Sequence, residues 1–541
     1  MEASVTHTAT RDRSAERDDI LAGRTSLGIE FGSTRIKACL IGSDPTQVLA
    51  TGSHAWENRF EERRWTYALD DVWSGLQAAY ADLAAAVESE YGVVPATFGA
   101  IGVSAMMHGY LAFDADDELL VPFRTWRNTS TGPAAAELTE LLGINIPLRW
   151  SVAHLHQAVL DGEAHVADIR HVTTLAGYVH ASLTGEKVLG VGDASGMFPI
   201  DPVTRDYDQR RVDLFDAHSA GRLPANLRAL LPEVRVAGQV AGSLTAAGAA
   251  LLDPSGVLRP GIPFCPPEGD AGTGMVATEA VAPRTGNVSA GTSIFAMVVL
   301  ERPLQSTHHE IDVVTTPAGN LVAMVHCNNG ASELAAWVGM FERFAAASGS
   351  TLDADAVYDT LFREALTGDP DAGGLLAYNH LAGEPIAGTE EGRPLFVRTP
   401  DSRFTLANAI RAQLYGVFGT LALGMRVLDR EGVQLDRMFA HGGMFRTAGV
   451  AQRFLAAALG APVAVGDTAS EGGAWGIAVL ADYLAHGDGL DLDAYLRERV
   501  FASASIDVAE PDEADAAGFA AYLDRYDAGL AVERAAVAAL S

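Results

Sequence analysis

The sequence predicts an α/β protein of two large domains with a cleft between them, and three observations predict it. The chain has 541 residues, too many for one ordinary core. Short apolar strands alternate with amphipathic helices through both halves. A strand–Gly/Ser/Thr–strand pattern opens each half, at residues 26–41 and again at 286–296. The boundary falls near Val281, so that residues 1–24 form a mobile tail, 25–281 a first domain and 282–541 a second.

In the first half, residues 26–30 read as a strand, Phe31-Gly32-Ser33-Thr34 as a tight turn and 35–41 as the returning strand. Such a tip offers N–H and hydroxyl donors to phosphate oxygens, and Glu30 at the strand end can face a metal ion; an ordinary hairpin turn has the same pattern. Asp70 and Asp71 open an amphipathic helix that runs to Tyr91. The apolar strand at 98–104 ends in Ala105-Met106-Met107-His108-Gly109 and is followed by another at 110–113. Ligands of open α/β sheets bind where strands end, which marks Met107 and His108. Arg124-Thr125-Trp126-Arg127-Asn128 then joins an aromatic face to hydrogen-bonding groups, a mix that suits a polyhydroxylated ligand. Helical spacing recurs at 133–143, 151–160 and 175–183. Gly190 to Gly196 reads as a flexible loop whose Asp193 and Ser195 could line a site, with a solvated turn as the preferred reading.

The stretch Pro266-Pro267-Glu268-Gly269-Asp270-Ala271-Gly272-Thr273-Gly274 delivers one carboxylate into a run of glycines, where backbone can approach a ligand. Asp270 is the candidate catalytic base, with capping of the following helix as its alternative. A Gly-x-Gly-x-x-Ala match at 272–277 follows no clean apolar strand, which argues against a dinucleotide fingerprint. In the second half the hairpin tip is Gly291-Thr292-Ser293. Strands follow at 321–327, 437–440 and 462–465, and helices at 331–347, 405–429, 447–459 and 470–485. Gly442-Gly443 comes after a strand and before a helix. That pair admits a flat ring close to backbone, adenine being the candidate; a plain turn is its alternative.

Composition excludes several partners. A formal net charge of −31 argues against nucleic acid and anionic membranes, whose phosphates need basic surface. An anionic small ligand remains compatible if backbone N–H groups and a metal ion hold it. No Gly-Lys-Ser or Gly-Lys-Thr occurs, so there is no Walker-type loop. Cys39, Cys265 and Cys327 lack metal-ligand spacing and read as buried reduced thiols. No apolar run approaches the ~18 residues of a membrane span, and the first 24 residues mix Arg with Asp and Glu, so a cytoplasmic protein is expected.

Nearly the whole chain after Thr25 resembles the FGGY family of carbohydrate kinases. Leu27-Gly28-Ile29-Glu30-Phe31-Gly32-Ser33-Thr34 is similar to the family's first phosphate motif, with Glu30 where Asp is usual. Gly269-Asp270-Ala271-Gly272 resembles its catalytic-base motif, Gly291-Thr292-Ser293 its second phosphate motif and Gly442-Gly443 its adenosine motif. The resemblance implies the actin-like, ribonuclease H-like ATPase fold, with ATP and Mg2+ as nucleotide and metal. It implies that Asp270 takes a proton from the sugar hydroxyl and, with Glu30, lies on the metal side. Gly32, Ser33, Thr34, Gly291, Thr292 and Ser293 would hold phosphates, and Gly442 and Gly443 the adenosine. Met107-His108-Gly109 is similar to the sugar-contacting segment of xylulokinase-like members, and Trp126 and Arg127 fall in their following Trp segment. The implied substrate is a ketopentose such as xylulose or ribulose, and a homodimer is the implied assembly. The rival readings are a non-catalytic sugar or nucleotide sensor and a sugar-independent actin-like ATPase.

Overall fold

Alternation in the opening strand decides how the first unit is layered. Leu27, Ile29 and Phe31 of the strand Ser26–Phe31 are fully buried, and they share one core cluster with Ile36, Ala38 and Leu40 of the returning strand Arg35–Ile41. The helix Leu69–Tyr91 covers that face through Val72, Leu76, Ala79 and Leu83. Successive side chains point to opposite faces, so Gly28 and Glu30 look the other way, toward the helix Gly472–His486. Gly28 is required there: a Cβ would stand 2.2 Å from the Ala474 carbonyl oxygen. The computed structural model describes residues 13–466 and 472–540.

The first sheet runs in the order Glu268–Gly269, Ala100–Ala105, Ser26–Phe31, Arg35–Ile41, Val48–Ala55. The strand at 100–105 is parallel to both its neighbours, and the other pairings are antiparallel. The second sheet has the order Ile311–Thr315, Leu321–Cys327, Ile294–Val299, Thr285–Ala290, Arg437–His441, Val463–Gly466, Ile506–Ala509. Here the strand at 437–441 is parallel to both neighbours, and the rest are antiparallel. Five consecutive strands therefore share one order and one set of directions in the two sheets. The likeness of the halves that the repeated hairpin predicts is present in the strand pairing. In the second unit the helix Leu406–Arg430 is buried along most of its length, and the helix Glu513–Ala539 packs on it.

Contacts divide the chain into two units, but not by one cut near Val281. The described residues up to 134, 148–277 and 472–502 form the first, and 135–147, 278–466 and 503–540 the second. The helix Gly472–His486 belongs to the first sheet because Gly28, Gly102 and Gly476 let backbones approach closely, Gly476 against the Thr273 carbonyl. Asn145 belongs with the second unit, where its amide donates to the Ile311 carbonyl and to Asp312 Oδ1 at 3.1 and 3.0 Å.

The expected mobile tail is corrected for its last part. Residues 1–12 lie outside the described residues, but Ser14–Ala22 is a helix with Ile20 buried. Asp19 accepts from Ser43 Oγ and Arg24, and Glu16 from Gln47, which fastens this helix to the first sheet's hairpin. The helix expected from 447 begins at Ala451, after a 3-10 turn at Gly443–Arg446. Residues 470 and 471 of the last expected helix lie outside the described residues. Residues 513–539 form a C-terminal helix whose signal lies in the sequence: Asp515, Phe519, Tyr522, Tyr526, Leu530 and Glu533 are buried at helical spacing. Cys39, Cys265 and Cys327 are buried and form no disulfide, as the reading of buried reduced thiols expects. Among the described residues no helix is long and apolar enough to cross a membrane.

Candidate active site

Asp270 stands where the short strand Glu268–Gly269 turns into the helix Asp270–Ala277, beside the end of the strand Ala100–Ala105. The Met107 backbone N–H donates to Asp270 Oδ1 at 3.1 Å, which ties the candidate base to the Met-His-Gly segment. Burial raises the Asp270 pKa above the ordinary Asp value, and the N–H groups of Met107 and Ala271 oppose that rise. Asp270 is the first residue of its helix. Gly272 and Gly274 lie inside that helix, so the Gly-x-Gly match there is a helix face and not a phosphate loop.

Glu30 lies close by. Its carboxylate accepts from the Ala474 N–H at the first turn of the helix Gly472–His486, and Lys37 Nζ stands 3.7 Å away. Burial raises its pKa most; Lys37 lowers it and the Asp270 charge raises it. A Cβ on Gly473 would stand 2.4 Å from Glu30 Oε1, so a side chain there would displace this carboxylate from its place against the helix. The two carboxylates have the oxygen-donor chemistry that a hard divalent cation takes, and the Lys37 ammonium occupies one side of Glu30.

His108 has a φ of 69°, a left-handed backbone that costs a non-glycine residue roughly 1–3 kcal/mol. Its surroundings impose it. Gly109 follows at φ 103°, where a Cβ would meet the Phe123 ring at 2.7 Å, and Ser151 Oγ donates to the Gly109 carbonyl. The His108 ring is buried, with Nδ1 3.3 Å from the Gly196 carbonyl oxygen. Trp126 is 37% exposed. The Arg127 guanidinium lies 3.9 Å from the centroid of the Trp65 ring, so its charge is engaged with an aromatic face. The Asn128 amide holds Trp65 in place by donating to its carbonyl and accepting from its N–H.

The expected solvated turn at 190–196 is corrected: all its residues are buried. The Glu268 carboxylate accepts from the Gly192 and Asp193 N–H groups, and Thr174 Oγ1 donates to Asp193 Oδ2 at 2.6 Å. A Cβ on Gly190 or Gly192 would stand 2.2 or 2.3 Å from a Glu268 oxygen, so these glycines are small to admit a carboxyl. Burial pushes Asp193 up to about 7, with the Asp270 charge adding to it, and burial likewise holds Glu268 well above the ordinary Glu range. The sequence offers Asp193 as a residue that could line a site, but its burial against Glu268 leaves no local trace, because a Gly-rich stretch reads alike whether it bends freely or admits a neighbour.

In the second unit Gly291, Thr292 and Ser293 form the turn between the strands Thr285–Ala290 and Ile294–Val299, as Gly32, Ser33 and Thr34 do in the first. The Gly291 N–H donates to the Ser293 carbonyl at 2.9 Å and the Gly32 N–H to the Arg35 carbonyl at 3.0 Å. A Cβ on either glycine would meet no atom within 4 Å but that same carbonyl. Gly442 follows the strand at 437–441 as Met106 follows that at 100–105, so both segments leave the end of a parallel central strand. Gly442 has a φ of 116°, and a Cβ would stand 2.2 Å from the Ala290 carbonyl oxygen. Its smallness serves strand packing. Gly443 meets nothing within 4 Å and is the one with room for a ligand.

These two similar units, each with a hydroxyl-bearing hairpin tip and a polar strand end, define the class. Residues 25–276 match the N-terminal domain of the FGGY family of carbohydrate kinases, and residues 286–485 match the C-terminal domain of the same family. The chain belongs to the FGGY family of carbohydrate kinases, and it is a sugar kinase with the family's two-domain, actin-like ATPase fold. It is xylulose kinase-like. Xylulose kinase of Haemophilus influenzae is 22% identical over 432 residues, covering 77% of this chain and 82% of that protein. The solved structure of a xylulose kinase from Rhodospirillum rubrum is 21% identical with a TM-score of 0.75, covering 94% of this chain and 99% of that one. A gluconate kinase from Lactobacillus acidophilus, 18% identical over 94% of this chain and 99% of its own, has the same TM-score of 0.75. Fold likeness therefore does not choose between acceptors.

Proposed function

We propose that this kinase transfers the γ-phosphoryl group of ATP to a hydroxyl of a small sugar, most simply a ketopentose such as xylulose or ribulose, with Asp270 as general base. The observation that carries the reading is the bond from the Met107 N–H to Asp270 Oδ1, which joins a carboxyl in a desolvated place to the segment read as sugar-contacting. A sugar hydroxyl is a weak nucleophile, and phosphoryl transfer rests on positioning and charge stabilisation. Asp270 accepts the hydroxyl proton as that oxygen forms its bond to the γ-phosphorus; the bond to the β–γ bridging oxygen breaks and ADP leaves.

The turns at Gly32 to Thr34 and Gly291 to Ser293 bind phosphate oxygens through N–H and hydroxyl donors, and Gly443 borders the adenosine. Glu30 and Asp270 have the donor chemistry to hold Mg2+, which when bound offsets negative charge on the phosphates. Met107, His108 and Trp126 orient the sugar. Arg127 acts through the Trp65 face on which it lies. Support for a ketopentose comes from the xylulose kinase relatives and from the buried, strained His108 in the matching segment.

ADP release measured against ketoses, aldoses, polyols and sugar acids tests the reading. One sugar class is expected to stimulate release; ATP turnover equal with and without every acceptor overturns it. His108→Ala is expected to raise the KM for sugar while leaving that for ATP near its starting value. Equal rises in both place His108 outside sugar binding.

A further inference from the structure

The second hairpin turn rests on a buried polar network that no motif announces. The segment Asn328 to Ala331 lies against it: the Gly330 N–H donates to the Thr292 carbonyl and the Ala331 N–H to the Gly291 carbonyl, both at 2.8 Å. A Cβ on Gly330 would stand 2.4 Å from the Gly291 oxygen, so the two backbones touch. The turn can be no better placed than this segment.

Asn329 holds the segment, and it is 5% exposed. Its Oδ1 accepts from the N–H groups of Leu381 and Ala382, both at 2.9 Å. Its Nδ2 donates to the Ala382 carbonyl and to Glu384 Oε2, each at 3.1 Å, and its own N–H also reaches Glu384 Oε2 at 3.3 Å. Glu384 is fully buried, and burial pushes its carboxyl up to about 7. From the other side the Asn379 amide donates to the Asn329 and Gly330 carbonyls at 3.1 and 2.8 Å. Asn329 thus uses both ends of its amide and both ends of its peptide unit. A chain of this kind is stiff because losing any member leaves a buried polar group without a partner.

We propose that Asn329, braced by Glu384 and Asn379, is a positioning residue for nucleotide phosphates: it sets the place of Gly291, Thr292 and Ser293 without touching the ligand. This rests on the reading of that turn as a phosphate-binding element. Asn329→Ala removes the amide contacts to 381–384 and lets the segment under the turn shift. Glu384→Gln keeps an acceptor oxygen in the same place and preserves the brace.

The experiment combines MgATP titration calorimetry with steady-state kinetics on the full chain. Asn329→Ala is expected to weaken MgATP binding by about tenfold or more, the scale of one to two buried hydrogen bonds. The KM for sugar stays within about twofold of the parent's, below what one such bond is worth. Glu384→Gln is expected to bind MgATP like the parent. A purely structural role would lower thermal stability and spare this split between substrates. Should Asn329→Ala fail to fold, Asn379→Ala is read by the same measure. Parental MgATP affinity in the folded alanine variant, or equal losses for sugar and nucleotide, overturns the brace. A parent chain that binds no MgATP overturns instead the phosphate reading of the turn.

Discussion

Asp270→Asn leaves the fold and nucleotide binding in place and lowers phosphoryl transfer by at least ~100-fold, the lower scale for loss of a general base. An amide of the same size still accepts from the Met107 N–H through its oxygen but takes no proton from a sugar hydroxyl. Turnover by coupled ADP assay, alongside circular dichroism and MgATP titration, checks it. Turnover close to the parent's removes Asp270 from the role, and loss of folding moves it to the capping alternative. The same residue sets a pH dependence. The base works ionised, and burial holds its folded-state pKa above the ordinary Asp value. Activity therefore falls as pH drops through that raised value, and the acid limb of kcat/KM stands at higher pH than a solvated Asp would give. A limb at the ordinary Asp position contradicts the buried geometry.

Asp515→Ala destabilises the second unit by about 3–5 kcal/mol, the cost of leaving a buried charge without its partner. Arg411 and Asp515 form an ion pair whose side chains are 2% and 4% exposed, and Arg453 Nε reaches the other Asp515 oxygen at 2.5 Å. These residues lie on the helices Leu406–Arg430, Ala451–Leu459 and Glu513–Ala539, so one carboxylate joins three elements. Arg411 would keep the Gly368 carbonyl and the Tyr415 hydroxyl, which carry no compensating charge. Urea unfolding followed by far-ultraviolet circular dichroism checks the value. The double variant Arg411→Met with Asp515→Ala is expected to recover part of the loss, because no lone charge then remains in the core. A midpoint for Asp515→Ala equal to the parent's removes this pair from the account of stability.

Legibility varied with how local the cause was. The turns at Gly32 and Gly291, the strand leading to Met107 and the place of Asp270 were readable because neighbouring residues write them: apolar runs for strands, Gly with hydroxyl residues for tips. The helix Ser14–Ala22 is expected as a mobile tail and the buried segment Gly190 to Gly196 as a solvated turn. Charge in the one and glycine in the other look like solvent until Ser43, Gln47 and Glu268 arrive from elsewhere.

By itself the sequence determined two α/β halves opened by similar hairpins, a carboxylate at a strand-to-helix junction and the family to which these motifs belong. Tertiary structure alone decided that the helix Gly472–His486 closes on Gly28 and Glu30, that two buried acids lie beside Asp270, and that Asn329 carries the second turn. The physical reason is the same in each case. A buried polar group takes its partner from wherever packing brings one, and packing joins segments whose separation along the chain leaves no local trace.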